Sequence, residues 1–183
     1  MWLLGRDQLG IFRVHQFEKV EQFVLCTPEE GKSWDLMKQM SGISEEFYQS
    51  LGIPYKVIDV VTGELNLAAA RKYDLEAWFP GSAVYRELVS CSNCLDYQAR
   101  RLDTRVAGVG KNVATEHTHV HMLNSTLTAT ERTMCCLVEN YQTPDGCRVP
   151  EVLQPFMGGI DFLPFMQPAP VMPDESKKGK KKK

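Results

Sequence analysis

The sequence predicts an α+β fold in which an antiparallel sheet is flanked by helices. Strand-like and helix-like segments follow one another without a regular β–α–β alternation, and no glycine-rich phosphate loop follows a strand. A stripe of apolar residues between positions 36 and 51 has helical spacing. The length of 183 residues and the hydrophobic fraction of 43% are typical of a soluble domain, so collagen-like, coiled-coil and wholly disordered chains are excluded.

Residues 11–25 form the first predicted strand. Apolar side chains fall on both alternations of this segment, and charged side chains are interleaved with them. This pattern is typical of a strand that lines a polar cleft, and a strand that changes faces at a bulge is the alternative. Further strands are predicted at 55–61, 73–79, 84–91 and 117–123, because apolar and polar residues alternate there.

Helices are predicted in three regions. A stripe of residues spaced by three or four positions predicts a helix of about four turns that ends at 52–54 and buries the stripe in the core. These residues are Leu36, Met40, Ile43, Phe47 and Leu51. A short helix is expected at 66–72, a half-helical segment at 96–105, and a longer helix at 124–140. Residues 142–166 are expected to form turns and short elements.

The net charge of −2 conceals an uneven distribution of charge. Six lysines lie in residues 177–183, and the rest of the chain has 15 lysines and arginines against 23 acidic residues, a charge of −8. We therefore expect an acidic folded domain over 1–166 and a disordered proline- and lysine-rich tail over 167–183. The loop at 107–115 is expected to be mobile. No run of 18 apolar residues occurs, so no membrane span is predicted.

Two metal-like patterns are weak. The CxxC at 91–94 supplies two zinc ligands where four are needed, so structural cysteines are the preferred interpretation. His117, His119 and His121 would share one face of a strand and could hold a metal, although polar strand faces are common. All six cysteines are expected to be reduced thiols. The lysine tail could contact RNA phosphates without sequence preference.

A dispersed set of polar residues is the more informative pattern. It consists of Arg13, Glu21, Glu87, Ser90 and Arg132. Charged residues inside apolar runs are costly when they are buried without partners, so they indicate salt bridges or a polar site. Carboxylates with a nearby hydroxyl can present oxygen atoms to Mg²⁺, and arginines suit phosphates.

Several long motifs occur in this chain in the order found in one known family. Residues 10–23 (GIFRVHQFEKVEQF) closely resemble the second strand of motif 2 in seryl-tRNA synthetases. Residues 86–101 (RELVSCSNCLDYQARR) match that family as well, and residues 121–126 (HMLNST) with Arg132 resemble motif 3. The linking segments 47–54 and 74–81 also agree. The likeness extends over residues 5–166, and the tail is similar to that of eukaryotic cytosolic members.

The resemblance implies a class II catalytic fold. It also implies that L-serine and ATP react to give seryl-adenylate, and that serine is then transferred to tRNA(Ser). Glu21 would hold the serine ammonium and Asn124 would shape the serine pocket. ATP would be bound by Val14, Phe17, Glu87, Leu88, Val89, Ser90 and Arg132.

Individual roles in ATP binding follow from the same resemblance. Phe17 is expected to stack on adenine, and Val14 to meet the base through its backbone. Glu87 and Ser90 would hold Mg²⁺ on the phosphates, and Arg132 would grip the γ-phosphate. Arg132 and Glu87 are therefore the expected catalytic residues.

The chain also departs from the family pattern. It shows no counterpart of motif 1, which builds the family's homodimer interface, or of the first strand of motif 2 with its FRxE sequence. The resemblance therefore implies a catalytic domain that is incomplete at its N-terminus, a cytoplasmic location, and poor activity of the isolated chain. The alternative is a noncatalytic truncated paralogue that binds nucleotide or RNA.

Overall fold

Five strands form the main sheet in the computed structural model, which describes residues 10–107 and 118–167. They are β1 (Lys19–Cys26), β2 (Tyr55–Asp59), β3 (Arg71–Phe79), β4 (Val84–Asn93) and β5 (His121–Ala129). Their order is β1-β5-β4-β3-β2 and all four pairings are antiparallel. The predicted fold class is confirmed.

Three helices and a small second sheet complete the described structure. The helices are α1 (Lys32–Ser50), α2 (Tyr97–Leu102) and α3 (Thr130–Tyr141). The second sheet contains β6 (Gln142–Thr143), β7 (Gly146–Arg148) and β8 (Phe162–Pro164). Single 3₁₀ turns or helices lie at Thr62–Glu64 and Glu151–Met157. No helix among the described residues is both long enough and apolar enough to cross a membrane.

Both long helices cover the same face of the main sheet. Met37 and Met40 of α1 pack on Cys91 of β4 and Leu123 of β5. Tyr48 of α1 lies in one core cluster with residues of β3, β4 and α3, and its hydroxyl is 3.0 Å from Oγ1 of Thr133 in α3.

Side chains that alternate with these apolar residues point to the opposite side of the sheet. Ser90 and Ser92 flank Cys91 along β4, and Asn124 follows Leu123 along β5. Successive residues of a strand face opposite sides, so these polar groups lie away from α1 and α3. We call this side the open face.

The predicted helix over 36–51 is confirmed, and four of the five stripe residues lie in or against the core: Met40 and Leu51 are buried, and Leu36 and Phe47 pack against the core clusters. Its fully buried residues are Ser33, Met37, Met40, Ser44 and Tyr48, whereas Ile43 is 42% exposed. The Ser44 hydroxyl donates to the backbone oxygen of Thr126 at 3.1 Å. The helix therefore meets the sheet partly through hydroxyl groups, which a count of apolar residues does not reveal.

The predicted helix over 124–140 is wrong in its first part. Residues up to Ala129 belong to β5, which pairs with both β1 and β4, and the helix begins at Thr130. A central strand gains backbone hydrogen bonds along both edges, and this tertiary gain overrides local preference. The helix predicted at 66–72 is also wrong, because β3 begins at Arg71 and the Ala70 N–H already donates to Asn93 O at 2.8 Å.

Strand β1 begins at Lys19, later than the predicted Ile11. Its partner β5 ends at Ala129, where the N–H and the hydroxyl of Thr130 both donate to Glu18 O, at 3.1 and 2.8 Å. The ladder has no further partner residue to pair with, so residues 10–18 form turns. The loop predicted at 107–115 and the tail predicted at 167–183 lie almost wholly outside the described residues.

Strand β1 presents an apolar edge that favours self-association. Within the described residues it pairs with β5 alone, and Phe23 and Leu25 are 74% and 56% exposed. Unprotected apolar edge strands template further pairing, and a lysine on the edge opposes it. We expect Phe23→Lys to lower the fraction of oligomer in sedimentation velocity, while Val57→Lys on the other edge strand lowers it less. A wild-type chain that stays monomeric over the whole concentration range would contradict this.

Candidate functional site

A polar cavity of about 360 Å³ opens on the open face of the main sheet. It is lined by Phe17, Lys19, Glu21, Asn66, Glu87, Leu88, Ser90, Ser92, Asn124, Thr126, Ala129 and Arg132. The lining residues come from the turn before β1, from β1 itself, from the segment between β2 and β3, from the strands β4 and β5, and from the first turn of α3. Seven of the nine residues expected to bind ATP or serine are in this lining.

An extra residue in β4 brings Glu87 and Ser90 to the same side of the sheet. Residues three apart in a regular strand point to opposite faces. Here Glu76 of β3 pairs with Glu87 and Leu75 with Val89, so Leu88 has no partner of its own. This bulge shifts the alternation by one residue, and both oxygen-bearing side chains enter the polar cavity.

The same device occurs in β5. Val20 pairs with Thr128 and Glu21 with Thr126, which leaves Leu127 as the extra residue. Thr126 and Ala129 are three positions apart, yet both line the polar cavity. The bulge alternative considered for the first strand therefore applies to its partner β5, while β1 keeps its alternation and lines the cavity as predicted.

Glu21 sits at one end of the cavity in a ring of hydrogen-bond donors. Thr126 Oγ1 donates to Oε2 at 2.9 Å, and Asn124 Nδ2 donates to Oε1 at 3.4 Å. The ammonium of Lys19 lies 2.7 Å from Oε2. The side chain of Glu21 is 11% exposed, so these donors hold an anionic group at a fixed position in a partly desolvated environment.

The other end of the cavity combines Glu87 with Arg132. Arg132 Nη1 donates to the backbone oxygen of Glu87 at 3.2 Å and lies 3.9 Å from its Oε1. Desolvation raises the pKa of the Glu87 carboxyl, and the nearby charge of Asp74 raises it further, while Arg132 lowers it. A carboxylate whose environment opposes its own charge is typical of sites that bind a cation.

Three of the predicted polar-site or binding residues lie elsewhere. Arg13 is exposed and Val14 half-buried, and neither belongs to the lining. Val89 is 2% exposed and packs in the core beneath the cavity. Its side chain therefore faces the helices, as the bulge at Leu88 requires.

The sequence analysis missed five lining residues: Lys19, Asn66, Ser92, Thr126 and Ala129. Two of them carried a usable signal, because Ser92 follows Ser90, and Thr126 follows Asn124, at the two-residue spacing of one strand face. The helix predicted over 124–140 concealed the second relation. The position of Asn66 depends on a turn between sheet strands and has no local signal.

The cysteines and histidines that the structure describes do not converge on a metal-ligand cluster. Within residues 10–107 and 118–167, no three side chains of His, Cys, Asp or Glu are grouped as metal ligands. Cys91 and Cys94 are buried free thiols whose pKa is raised by desolvation, and burial raises the pKa of Cys136 to about 12. His121 Nδ1 is 3.3 Å from Ser33 Oγ and His119 Nε2 is 3.6 Å from Asp103, while His117 lies outside the described residues.

Comparison with known proteins agrees with this fold. Residues 5–141 match the family model of the tRNA synthetase class II core domain (G, H, P, S and T). The chain is 62% identical over 179 residues to the cytoplasmic serine–tRNA ligase of Arabidopsis thaliana, covering 98% of this chain and 39% of that protein. It is 60% identical over 176 residues to the corresponding ligase of Schizosaccharomyces pombe, covering 96% and 38%.

Solved structures give the same result. The cytoplasmic serine–tRNA ligase of Naegleria fowleri in complex with AMP matches with a TM-score of 0.84 at 62% identity, covering 90% of this chain and 38% of that one. The Pyrococcus horikoshii seryl-tRNA synthetase complexed with ATP matches with a TM-score of 0.81 at 46% identity, covering 88% and 35%. The chain thus spans slightly more than a third of the length of these relatives. It belongs to the class II tRNA synthetase core-domain family, and its sequence groups it with the serine–tRNA ligases of that family.

Proposed function

We propose that the polar cavity is the ATP and serine site of a serine–tRNA ligase, which makes seryl-adenylate and passes serine to tRNA(Ser). One observation carries the proposal. The carboxylate of Glu21, surrounded by hydrogen-bond donors, lies at one end of a single cavity. The carboxylate of Glu87, paired with the guanidinium of Arg132, lies at the other end. A site that joins an amino acid to a nucleoside triphosphate needs a carboxylate for the ammonium and, in the same cavity, groups that hold a cation and the phosphates.

The Glu21 end suits the amino acid. Its carboxylate already accepts an ammonium group, that of Lys19, at 2.7 Å. The α-ammonium of serine would replace or join this contact as a charge-assisted hydrogen bond. The hydroxyl of Thr126 and the amide of Asn124 face the same carboxylate and can read the serine hydroxyl. A site with polar groups of this kind rejects alanine because they would be left unpaired.

The other end suits the nucleotide and its cation. Phe17 is half-exposed at the rim, so its ring is accessible for stacking on a base, a contact worth about 1–3 kcal/mol. Glu87 and Ser90 offer hard oxygen ligands from the same side of β4, which fits Mg²⁺. When bound, Mg²⁺ would neutralise phosphate charge. Arg132 lies beside them and would hold the γ-phosphate.

The chemistry requires positioning more than covalent help. The serine carboxylate attacks the α-phosphorus and pyrophosphate leaves, so the residues must align the reactants and balance charge. Glu21 fixes the serine ammonium, and Arg132 holds the departing pyrophosphate and balances its charge. Val14 and the segment Leu88–Val89 would serve the base and phosphates through their backbone groups. The names of the relatives also support a cytoplasmic location, and we propose a homodimer for the complete ligase.

The direct test is a calorimetric titration of the chain with ATP and with AMP, in the presence and absence of Mg²⁺. We expect ATP to bind more tightly with Mg²⁺, because Lys19 and Arg132, the cations among the described lining residues, are already paired with carboxylates. Glu87→Gln should weaken Mg²⁺-dependent ATP binding about tenfold, the loss of one contact to a charged group. AMP should be nearly unaffected because it lacks the outer phosphates.

Glu76→Gln is the matched control for this titration. Glu76 pairs with Glu87 across the two strands but lies outside the cavity lining. Its substitution should leave ATP affinity unchanged. Equal losses in the two variants, or a loss of AMP affinity as large as that of ATP, would refute the assignment of Glu87.

Glu87→Gln should also stabilise the fold near neutral pH. The pKa of Glu87 is raised in the folded chain, so the folded state binds its proton more tightly than the unfolded state does. Wild-type stability from this group therefore falls as pH rises through the unfolded and then the folded pKa, and glutamine removes the penalty. Thermal melts from pH 4 to 8 should show the variant's advantage shrinking towards pH 4. An advantage independent of pH would contradict the shift.

The activity of this chain by itself is a separate prediction. We expect serine-dependent pyrophosphate exchange at least about 100-fold slower than that of a full-length cytoplasmic relative, because missing one preorganised charge contact at the transition state costs about that factor. The lining residues described here supply Arg132 and Lys19, both shared with carboxylates. Exchange at a rate near that of the full-length enzyme would overturn this expectation. ATP binding that is insensitive to Arg132→Met, together with serine binding that is insensitive to Glu21→Gln, would favour a noncatalytic nucleotide-binding protein.

A further inference from the structure

We infer that Phe12 is a positioning residue for the triphosphate end of the site, acting through Arg132. The inference rests on the proposed function and adds a residue to it. Phe12 does not line the polar cavity; it lines a separate, more apolar cavity of about 530 Å³. Any effect of its ring on a bound nucleotide must therefore pass through a neighbour.

Arg132 is that neighbour. The central carbon of its guanidinium lies 5.0 Å from the centroid of the Phe12 ring. The guanidinium of Arg86 lies over the same ring at 5.1 Å. The negative face of an aromatic ring attracts a cation at this distance, and the attraction is larger where water is excluded. Phe12 is 9% exposed, so the contact with Arg132 is largely desolvated.

The other contacts of Arg132 do not by themselves fix the orientation of its guanidinium plane. Nη1 bonds to the backbone oxygen of Glu87 and approaches the carboxylate at 3.9 Å, a loose ion-pair distance. These contacts fix one end of the guanidinium. An arginine side chain has several rotatable bonds, so a flat surface beneath its plane is needed to hold it ready for a phosphate.

Phe12 itself is well anchored. Its ring meets Phe79 edge to face, with centroids 5.5 Å apart and an interplanar angle of 83°. It belongs to the core cluster that contains Tyr48 and Leu88. Phe12 is thus a fixed part of the core that contacts the guanidinium of Arg132.

The position of Phe12 in the chain links the two ends of the nucleotide. Phe17, at the cavity rim, follows Phe12 by five residues in the same turn segment before β1. The ring proposed to stack on adenine and the ring beneath Arg132 therefore belong to one short piece of backbone. Anchoring Phe12 in the core sets the distance between the base end and the phosphate end of the site.

The test compares Phe12→Leu with wild type in the full chain, by calorimetric titration with ATP and AMP in Mg²⁺. Leucine keeps apolar bulk but removes the ring quadrupole. We expect ATP affinity to fall about 3- to 10-fold, the range of a partly desolvated cation–π contact, and AMP affinity to stay unchanged. Phe47→Leu is the matched control, because Phe47 packs against the same core from α1. It should leave both affinities unchanged.

A double variant tests whether the effect passes through Arg132. In the Arg132→Met background, Phe12→Leu should cause no further loss of ATP affinity, because the side chain it positions is gone. A full additional loss, or equal losses of ATP and AMP affinity in the single variant, would overturn the inference.

A measurement without ligand separates this inference from the proposed function. In the wild-type chain the side-chain protons of Arg132 should be shifted upfield in NMR spectra by the ring current of Phe12, and Phe12→Leu should abolish the shift while Phe47→Leu preserves it. An unshifted Arg132 in wild type would refute the positioning role even if ATP binds. If the wild-type chain binds no ATP, the proposed function fails, and the NMR result still decides whether Phe12 holds Arg132.

Discussion

The alternation of side chains along the central strands is the constraint on which this site depends. One face of the sheet must be apolar, because α1 and α3 cover it, and the other must carry every polar group of the cavity. A regular strand would place Glu87 and Ser90 on opposite faces, and one carboxylate or hydroxyl would then be buried under a helix. The extra residues Leu88 and Leu127 remove this conflict. Each bulge shifts the alternation by one residue, so polar side chains three positions apart can both face the cavity. The opposite face of the sheet remains apolar.

The two ends of the cavity solve the problem of holding a carboxylate in opposite ways. Glu21 is surrounded by donors from Lys19, Asn124 and Thr126, so its charge is balanced before any ligand arrives. Glu87 has Arg132 at 3.9 Å and the charge of Lys72 as its cationic neighbours, and desolvation and the charge of Asp74 oppose its ionised form. The first arrangement fixes the orientation of the Glu21 carboxylate, and the second leaves the Glu87 carboxylate with an environment that favours binding of a further positive charge. A site that must choose one amino acid and also attract a cation needs both arrangements.

Local sequence patterns predicted the strands that pair with a neighbour in the chain. They failed where a segment becomes a strand only because it pairs with residues distant in sequence. Strands β3 and β4 are neighbours in the chain and were predicted within a few residues, because their alternation is complete in each segment. Asn124 was assigned to a helix because the residues after it are helical, whereas its partners are Phe23 and Ser92 in other strands. The motifs shared with the synthetase family selected most of the cavity lining. Single-sequence reasoning could not place Ala129 or Asn66, since their positions follow from a bulge and a turn that leave no local signature.

The pairing of β1 with β5 has a consequence for how the chain is made. The bond from Thr126 to Glu21 joins residues 105 positions apart, so a ribosome that adds about 5–20 residues per second exposes β1 for several seconds before β5 emerges. During that interval β1 carries an apolar surface without its partner, and the Glu21 end of the cavity does not exist. The last long-range contact of the sheet is also the one that builds the site. A chain can therefore bind ligand only when its sheet is complete. The ability of a newly made chain to bind ligand is thus also a measure of whether it has folded correctly.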